Sequence, residues 1–340
     1  MGSSHICLEL TQNCNNACRH CYNFWRVNGR TTADSKGETL SRKEIRYLIE
    51  KVKKDVPLEY VALSGGEPLM NEELPQIVGD LVAAGLKPII ITNGVLLEEG
   101  LLKQLPQGMN FEITLFGHTG GLHDKLAGNR VFDRVVQNAS RIRRYGSYFT
   151  VVFVATRLNA LDIFRTSELG IALGASAIMY NRVNLSKGMK LYANKFVPTV
   201  NMLEESLGLL QEVVRKYGIP AFCSVPILPC LVDISRYQNI NFGWCPRGGD
   251  NSYYTIGNTG LLRPCNHSSV ILGDLLIEGF AEIISRKKCK DFWETIPTEC
   301  TQCTHPLKDK CRGGCTAASD EFYGSQFRID PVYELARGYK

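Results

Sequence analysis

The chain has 340 residues, 44% of them hydrophobic and 21% charged, with a formal net charge of +5. That suffices for a sizeable core in one large domain or two ordinary ones, and it excludes a disordered chain. No run reaches the ~18 apolar residues of a membrane span, the start MGSSHICLELTQNC lacks the regions of a secretory signal, and the basic runs at 141–144 and 286–290 are too short to track a phosphate backbone.

Taken in order, strand-like runs occur at residues 6–10, 60–63, 88–92, 111–115, 149–155 and 177–180. Helix-like stretches lie between and after them, at 41–54, 72–84, 96–105, 132–145, 161–173 and 199–217. Ser41 with Glu44 predicts a capping box, and Gly85, Gly146 and Gly218 sit where helices should stop. Six strands alternating with helices predict an α/β fold with a parallel sheet, open or closed. Beyond residue 220 proline, glycine and cysteine rise. Short strands at 253–256 and 261–263 and a helix at 277–287 are all that is expected there, as in a small region organised around metal. We therefore divide the chain into domains 1–220 and 221–340.

The chain is expected in the cytoplasm, where thirteen cysteines are not a disulfide framework. Four precede residue 25 and nine fall between Cys223 and Cys315, a clustering that packing residues would not show. Cys14, Cys18 and Cys21 follow the first strand, where α/β folds place active sites. Three thiolates can hold an iron–sulfur cluster and leave one iron open. A zinc site completed by His20 or Cys7 is the alternative.

The spacing Cys14-x3-Cys18-x2-Cys21 resembles the signature of the radical S-adenosylmethionine (SAM) superfamily. Ser64-Gly65-Gly66-Glu67-Pro68 resembles that family's GGE motif, which contacts the amino group of SAM, and Thr92-Asn93-Gly94 resembles another loop near SAM. Asn181-Arg182, with Gly188 following, resembles a late-barrel segment of peptide-modifying members, in which Arg182 would reach the SAM carboxylate. His20 and Tyr22 would lie near the adenine. The resemblance implies a partial (β/α)6 TIM-like barrel and a 4Fe-4S cluster at the N-terminal motif. One electron from that cluster would cleave SAM to a 5′-deoxyadenosyl radical.

Further on, Cys245, Gly260-x4-Cys265 and Cys300-x2-Cys303-x7-Cys311-x3-Cys315 resemble the SPASM extension, a small cysteine-rich domain with auxiliary iron–sulfur clusters. By that resemblance one auxiliary cluster would use Cys245, Cys265 and Cys315, with Cys230 as the candidate fourth ligand, and a second would use Cys300, Cys303 and Cys311. Two departures stand out. The usual x5 is x7 here, and no cysteine follows Cys315, so the second cluster would need His305, Asp309 or Asp320, have an open iron, or be absent. A zinc knuckle on the last four cysteines is the alternative. Cys7 suits core packing; Cys223 and Cys289 are left undecided.

Relatives with this extension commonly modify peptides, so a ribosomally made precursor peptide is the expected substrate, through crosslinking, excision or another oxidative rearrangement. A separate small leader-recognition protein and an electron donor such as flavodoxin or ferredoxin are the expected partners; nucleic acid and membrane are not. A sulfatase-maturing enzyme is disfavoured, since the aspartate base of that group is Asn266 here. A tetrapyrrole or cofactor-pathway enzyme and a non-enzymatic electron carrier are further alternatives. Asn93, His118, Arg157, Asn159 and Asn181 are expected near the barrel mouth, with no catalytic acid or base assigned.

Overall fold

The structure is a computed structural model that describes residues 5–32, 39–245 and 253–338. Its centre is one eleven-stranded sheet. The six expected strands are present: β1 (His5–Thr11), β2 (Tyr60–Gly65), β3 (Lys87–Thr92), β4 (Asn110–Thr114), β5 (Tyr148–Ala155) and β6 (Ala177–Arg182). Each is parallel to the next, and the sheet continues through β7 (Ala221–Cys223) and β8 (Ile240–Phe242). The strand order is linear, so the sheet is open, with an edge strand at each end, consistent with a partial rather than a closed barrel.

The helices α1 (Arg42–Asp55), α2 (Leu74–Ala83), α3 (Glu99–Leu102), α4 (Gly120–Ala127), α5 (Phe132–Ala139), α6 (Ile163–Ala172) and α7 (Val200–Tyr217) connect these strands. The capping box forms: the Glu44 amide donates to Ser41 Oγ at 3.3 Å, and the Ser41 amide to the Glu44 carboxylate at 2.7 Å. Alternation decides which way each strand faces. Ile6, Leu8 and Leu10 join the main core beneath the helices, while Cys7 and Glu9 face inward beside Ala62 and Ser64. The sequence reading missed α4, because its opening Gly120 and Gly121 read as a loop.

The segment beyond residue 220 is wired into the same sheet. β9 (Tyr254–Ile256) pairs in parallel with β1, and β10 (Leu261–Arg263) and β11 (Gly273–Asp274) extend it antiparallel. Tyr254, Leu262, Phe280, Phe292 and Trp293 belong to the core that the barrel helices cover. The single helix expected over 277–287 is two, α8 (Phe280–Ser285) and α9 (Lys287–Glu294), parted by an extended Arg286 whose guanidinium pairs with Glu278 and Glu282. Then come α10 (Lys308–Cys311), α11 (Thr316–Tyr323) and α12 (Val332–Leu335). Cys7, Cys223 and Cys289 are all buried in packing positions. Among the described residues no helix is long and apolar enough to cross a membrane.

Candidate active site

The loops leaving the carboxyl ends of β1, β2 and β3 meet around a cavity of about 150 Å³. Cys14, Cys18 and Cys21 line it, with Tyr22, Gly65, Gly66, Glu67, Thr92 and Asn93. Six of the seven residues expected at the cofactor are thus brought to one place with the three thiols. Thr114, Phe116 and Val154 complete the wall from β4, the turn after it and β5.

The two glycines bring the β2 loop against the cysteine loop. The amide of Gly66 donates to the Thr11 carbonyl at 2.7 Å and that of Glu67 to the Asn13 carbonyl at 2.8 Å. A Cβ on Gly65, whose φ is +122°, would lie 2.2 Å from the Thr11 oxygen, and one on Gly66 would lie 2.1 Å from the Asn13 oxygen. The close approach that requires glycine is therefore between the two loops. Glu67 is buried, accepting from Thr92 Oγ1 at 2.6 Å and from the amides of Asn93 at 2.8 Å and Leu69 at 3.2 Å. Burial pushes its pKa up to about 7 in spite of those donors. Three bonds leave acceptor capacity for one more donor.

Four buried polar atoms on this wall have no partner within the protein: Asn16 Oδ1, His20 Nδ1, Asn23 Oδ1 and Arg26 Nε. Such atoms are costly unless a ligand satisfies them. Arg26 is the charged residue that the sequence reading missed. It donates to the carbonyls of Asn16 and Gly29 and places its charge beside all three thiols. A cation there suits a cluster held by thiolates. Thiol chemistry and orphaned polar atoms together fit an iron–sulfur cluster with a polar co-ligand.

Arg182 is a correction. Its guanidinium turns away from this cavity to the carbonyls of Pro226 and Val183 and to a buried ion pair with Asp330. Asp330 also accepts from the Cys315 amide at 2.9 Å, so the pair fixes a cysteine of the C-terminal segment. Asn184, two residues on, lines the cavity instead and reaches Cys315 Sγ at 3.5 Å. Of the residues expected near the mouth, Asn93 alone lines the cavity. Asn181 accepts from the amides of Ser224 and Val225, Asn159 donates to the carbonyls of Phe116 and Val154, Arg157 donates to the Val197 carbonyl, and His118 pairs with Asp162 at 2.6 Å. These side chains staple loops. Glu112 was also missed. It faces inward one layer below Thr114, and burial pushes its pKa up to about 7.

The C-terminal cysteines form two groups. Cys265 and Cys315 pack together, and both lie close enough to Cys245 to feel its charge. Tyr22 links this group to the cavity: Asn266 Nδ2 donates to its hydroxyl at 3.2 Å, and His267 meets its ring edge-on at 4.4 Å. Cys230 is the second correction. It lies beside Cys303 and Cys311, and with Cys300 these four line a separate cavity of about 480 Å³. The reason is chain return: the turn carrying Cys230 comes back against the Cys300–Cys311 loops, a pairing that spacing cannot encode. His305 and Asp309 line the same cavity, whereas Asp320 does not.

Residues 8–160 match the family model described as the radical SAM superfamily. Across nearly the whole chain the sequence is similar to the AdoMet-dependent heme synthase of Methanosarcina barkeri, at 24% identity over 354 residues covering 98% of this chain and 97% of that protein. It is also similar to the PqqA peptide cyclase of Bradyrhizobium diazoefficiens, at 23% over 344 residues covering 97% and 86%. In fold it is similar to Streptococcus suis SuiB bound to precursor peptide SuiA, with a TM-score of 0.75 and 14% identity over 97% of this chain and 75% of that one.

Proposed function

The chain belongs to the radical SAM superfamily and is an enzyme of it, and on that premise we propose that it cleaves SAM reductively in the β1–β3 cavity and modifies a ribosomally synthesised peptide. One observation carries the reading: three thiols, a buried carboxylate with spare acceptor capacity and four orphaned polar atoms share a single cavity. Bound there, a 4Fe-4S cluster and SAM supply the one-electron cleavage that yields a 5′-deoxyadenosyl radical. Cys14, Cys18 and Cys21 hold the cluster, and Arg26 offsets their charge. Glu67 takes the amino group of SAM, Thr92 and Asn93 hold that carboxylate in place, and Tyr22 bounds the site toward the auxiliary cysteines.

Two auxiliary iron–sulfur clusters fit the remaining thiols. Cys230, Cys300, Cys303 and Cys311 give a complete four-thiol set, and Cys245, Cys265 and Cys315 give three, with an open position. The three-thiol group is the nearer to the SAM cavity, through Asn184 and Tyr22. The peptide reading draws support from the similarity to a peptide cyclase along 97% of the chain. A second reading, chemistry on a tetrapyrrole, draws support from the equally long similarity to a heme synthase.

The test is anaerobic reconstitution followed by SAM and dithionite. 5′-Deoxyadenosine is expected from the wild type and none from a Cys14/Cys18/Cys21 triple alanine variant. Its absence from the wild type would remove the enzymatic reading. Mass spectrometry then separates the substrates, with a peptide encoded beside the gene expected to change mass and an iron-free or iron-bearing tetrapyrrole to stay unchanged. The reverse outcome would install the second reading.

A further inference from the structure

Alternation splits the strands β3 to β6 into two faces. Ile90, Phe111, Ile113, Val151, Phe153 and Ile178 are buried in the core beneath the helices. The residues between them face the other way, and there Ile91, Glu112, Thr114, Thr150, Val154 and Met179 are only half-buried. Phe222 of β7, in register with Met179, is 39% exposed on the same face. On β1 and β2 that face is covered instead: Tyr253 lies against Cys7, Arg263 pairs with Glu9, and Tyr22 lies against Ser64. The open half runs on from the SAM cavity, since Ile91, Thr114 and Val154 line that cavity as well.

Glu112 is the one carboxylate in β3 to β7, and it stands on this open half. Its partners across the sheet are Ile91 and Thr150, and Thr114 is two residues further along the strand, about 7 Å away. Thr114, Val152, Met179 and Phe222 form the next layer in register, an apolar wall between Glu112 and the mouth. The two cations of these strands are taken elsewhere, Lys87 by Glu59 and Arg182 by Asp330. Among the described residues nothing donates to Glu112, and burial alone acts on its carboxyl.

A carboxylate that faces open space between apolar walls is costly until a donor meets it. Its surroundings decide which ligand can do so. An apolar group leaves it unmet, and an anion adds repulsion. A flexible apolar stem ending in a cation satisfies both parts: its methylenes cover Val152, Met179 and Phe222, and its tip makes a charge-assisted bond. We propose that Glu112 is a specificity residue that receives a basic side chain, lysine or arginine, of the peptide held beside the SAM cavity. The inference rests on the peptide reading and deepens it, because a tetrapyrrole brings carboxylates, the wrong charge for this position.

The test uses the reconstituted full chain with saturating SAM and no reductant, so that SAM occupies Glu67 and nothing turns over. SAM binding is read first, by equilibrium titration. The probes are capped pentapeptides, Gly-Gly-X-Gly-Gly, in which X is lysine, acetyl-lysine, norleucine or glutamate, titrated at about pH 8, where Glu112 ionises. The lysine peptide is expected to bind about tenfold more tightly than the acetyl-lysine and norleucine peptides, and the glutamate peptide most weakly. In Glu112→Gln, which keeps the shape of the protonated acid, that advantage should fall to about twofold or less, whereas Glu59→Gln, which removes an exposed carboxylate, should keep it. Thermal denaturation checks that each variant is folded. Carbodiimide coupling of the lysine peptide to the wild type needs no variant, and the mapped adducts should include an amide to Glu112. No lysine advantage in the wild type, an advantage that survives in folded Glu112→Gln, or adducts that omit Glu112 overturn the assignment. A preference for the glutamate peptide overturns it and turns the substrate toward an anionic one. SAM that fails to bind defeats the radical SAM reading, and the assignment falls with it; SAM that binds without a lysine advantage defeats the assignment alone.

Discussion

The barrel and the C-terminal segment gather thiols by different means. In the barrel, Cys14, Cys18 and Cys21 lie within eight residues of one loop, and successive strands deliver the rest of the cavity at their carboxyl ends. In the C-terminal segment each group is assembled from distant pieces: Cys230 joins Cys311, and Cys245 joins Cys315. A local loop needs only its own turn to be correct. A remote set needs the chain to return to the same place, and buried ion pairs help fix that return. Arg182 with Asp330 holds the Cys315 loop, and Glu9 with Arg263 ties β1 to β10. The first kind of site tolerates loss of its neighbours; the second should not.

The largest effect that would break this contrast concerns Cys230. Cys230→Ala and Cys300→Ala are each expected to remove the same share of iron and sulfide, about one cluster or about four irons per chain, while leaving SAM cleavage at the N-terminal site. Cys245→Ala should remove a different cluster, so that a Cys230/Cys245 double variant loses the sum of the two. Iron quantification on the three variants checks it. Non-additive losses would place Cys230 back with Cys245.

The ion pair comes next. Arg182 and Asp330 are essentially inaccessible, so Asp330→Asn leaves an uncompensated buried cation. A loss of about 3–5 kcal/mol in denaturant stability is expected. Replacing both partners by apolar residues, Arg182→Met/Asp330→Leu, should restore much of it, since a buried pair is rarely worth more than good packing. Had Arg182 bound the SAM carboxylate, the single variant would weaken SAM binding and leave stability alone.

This contrast also explains what was legible. The strands, the parallel order and the capped α1 were readable because alternation, helix periodicity and the Ser41–Glu44 box are local signals. Nine of the cysteines were grouped as expected by their resemblance, and the cavity around Glu67 followed from motifs that each sit at one strand end. Cys230, Arg182 and Arg26 were not legible as placed. Their partners are decided by where distant segments meet: Arg26 turns back to Asn16 and Gly29, and Arg182 crosses to Asp330, 148 residues away. The eleven-stranded sheet was hidden for the same reason, because the pairing of β9 with β1 joins residues almost 250 apart. Asn184 carried one faint signal, its place two residues beyond a strand end already under suspicion.

A smaller effect probes the loop docking that makes the barrel site local. Gly66→Ala puts a methyl group against the Asn13 carbonyl, and neither backbone can yield without moving the cysteine loop. A stability loss of about 1–3 kcal/mol is expected, with weaker SAM binding, read by thermal denaturation and equilibrium titration. At Gly79 a Cβ meets nothing within 4 Å, so Gly79→Ala in α2 should be neutral or stabilising by up to about 1 kcal/mol.

The smallest effect is one of pH, and its sign differs between the free protein and the SAM complex. The pKa of Glu67 is raised from its ordinary 4.5 to about 7, chiefly by burial. A carboxyl raised above its unfolded value holds its proton in the folded state, so ionising it costs stability. That contribution favours the fold at acid pH and is lost as pH rises from about 4.5 through about 7. Glu112 adds a term of the same sign. An ammonium group from SAM reverses the preference at Glu67, because the ionised carboxylate accepts from it in a charge-assisted bond much stronger than the neutral acid can make. SAM affinity should therefore rise with pH, from about tenfold below its plateau one unit under the pKa. In Glu67→Gln the affinity is expected to be lower and flat across this range, and the free protein should lose part of its decline in stability between pH 5 and 8. Parallel slopes in wild type and variant would mean that the carboxylate does not meet the amino group of SAM, leaving Glu67 as a loop staple to Thr92 and Asn93.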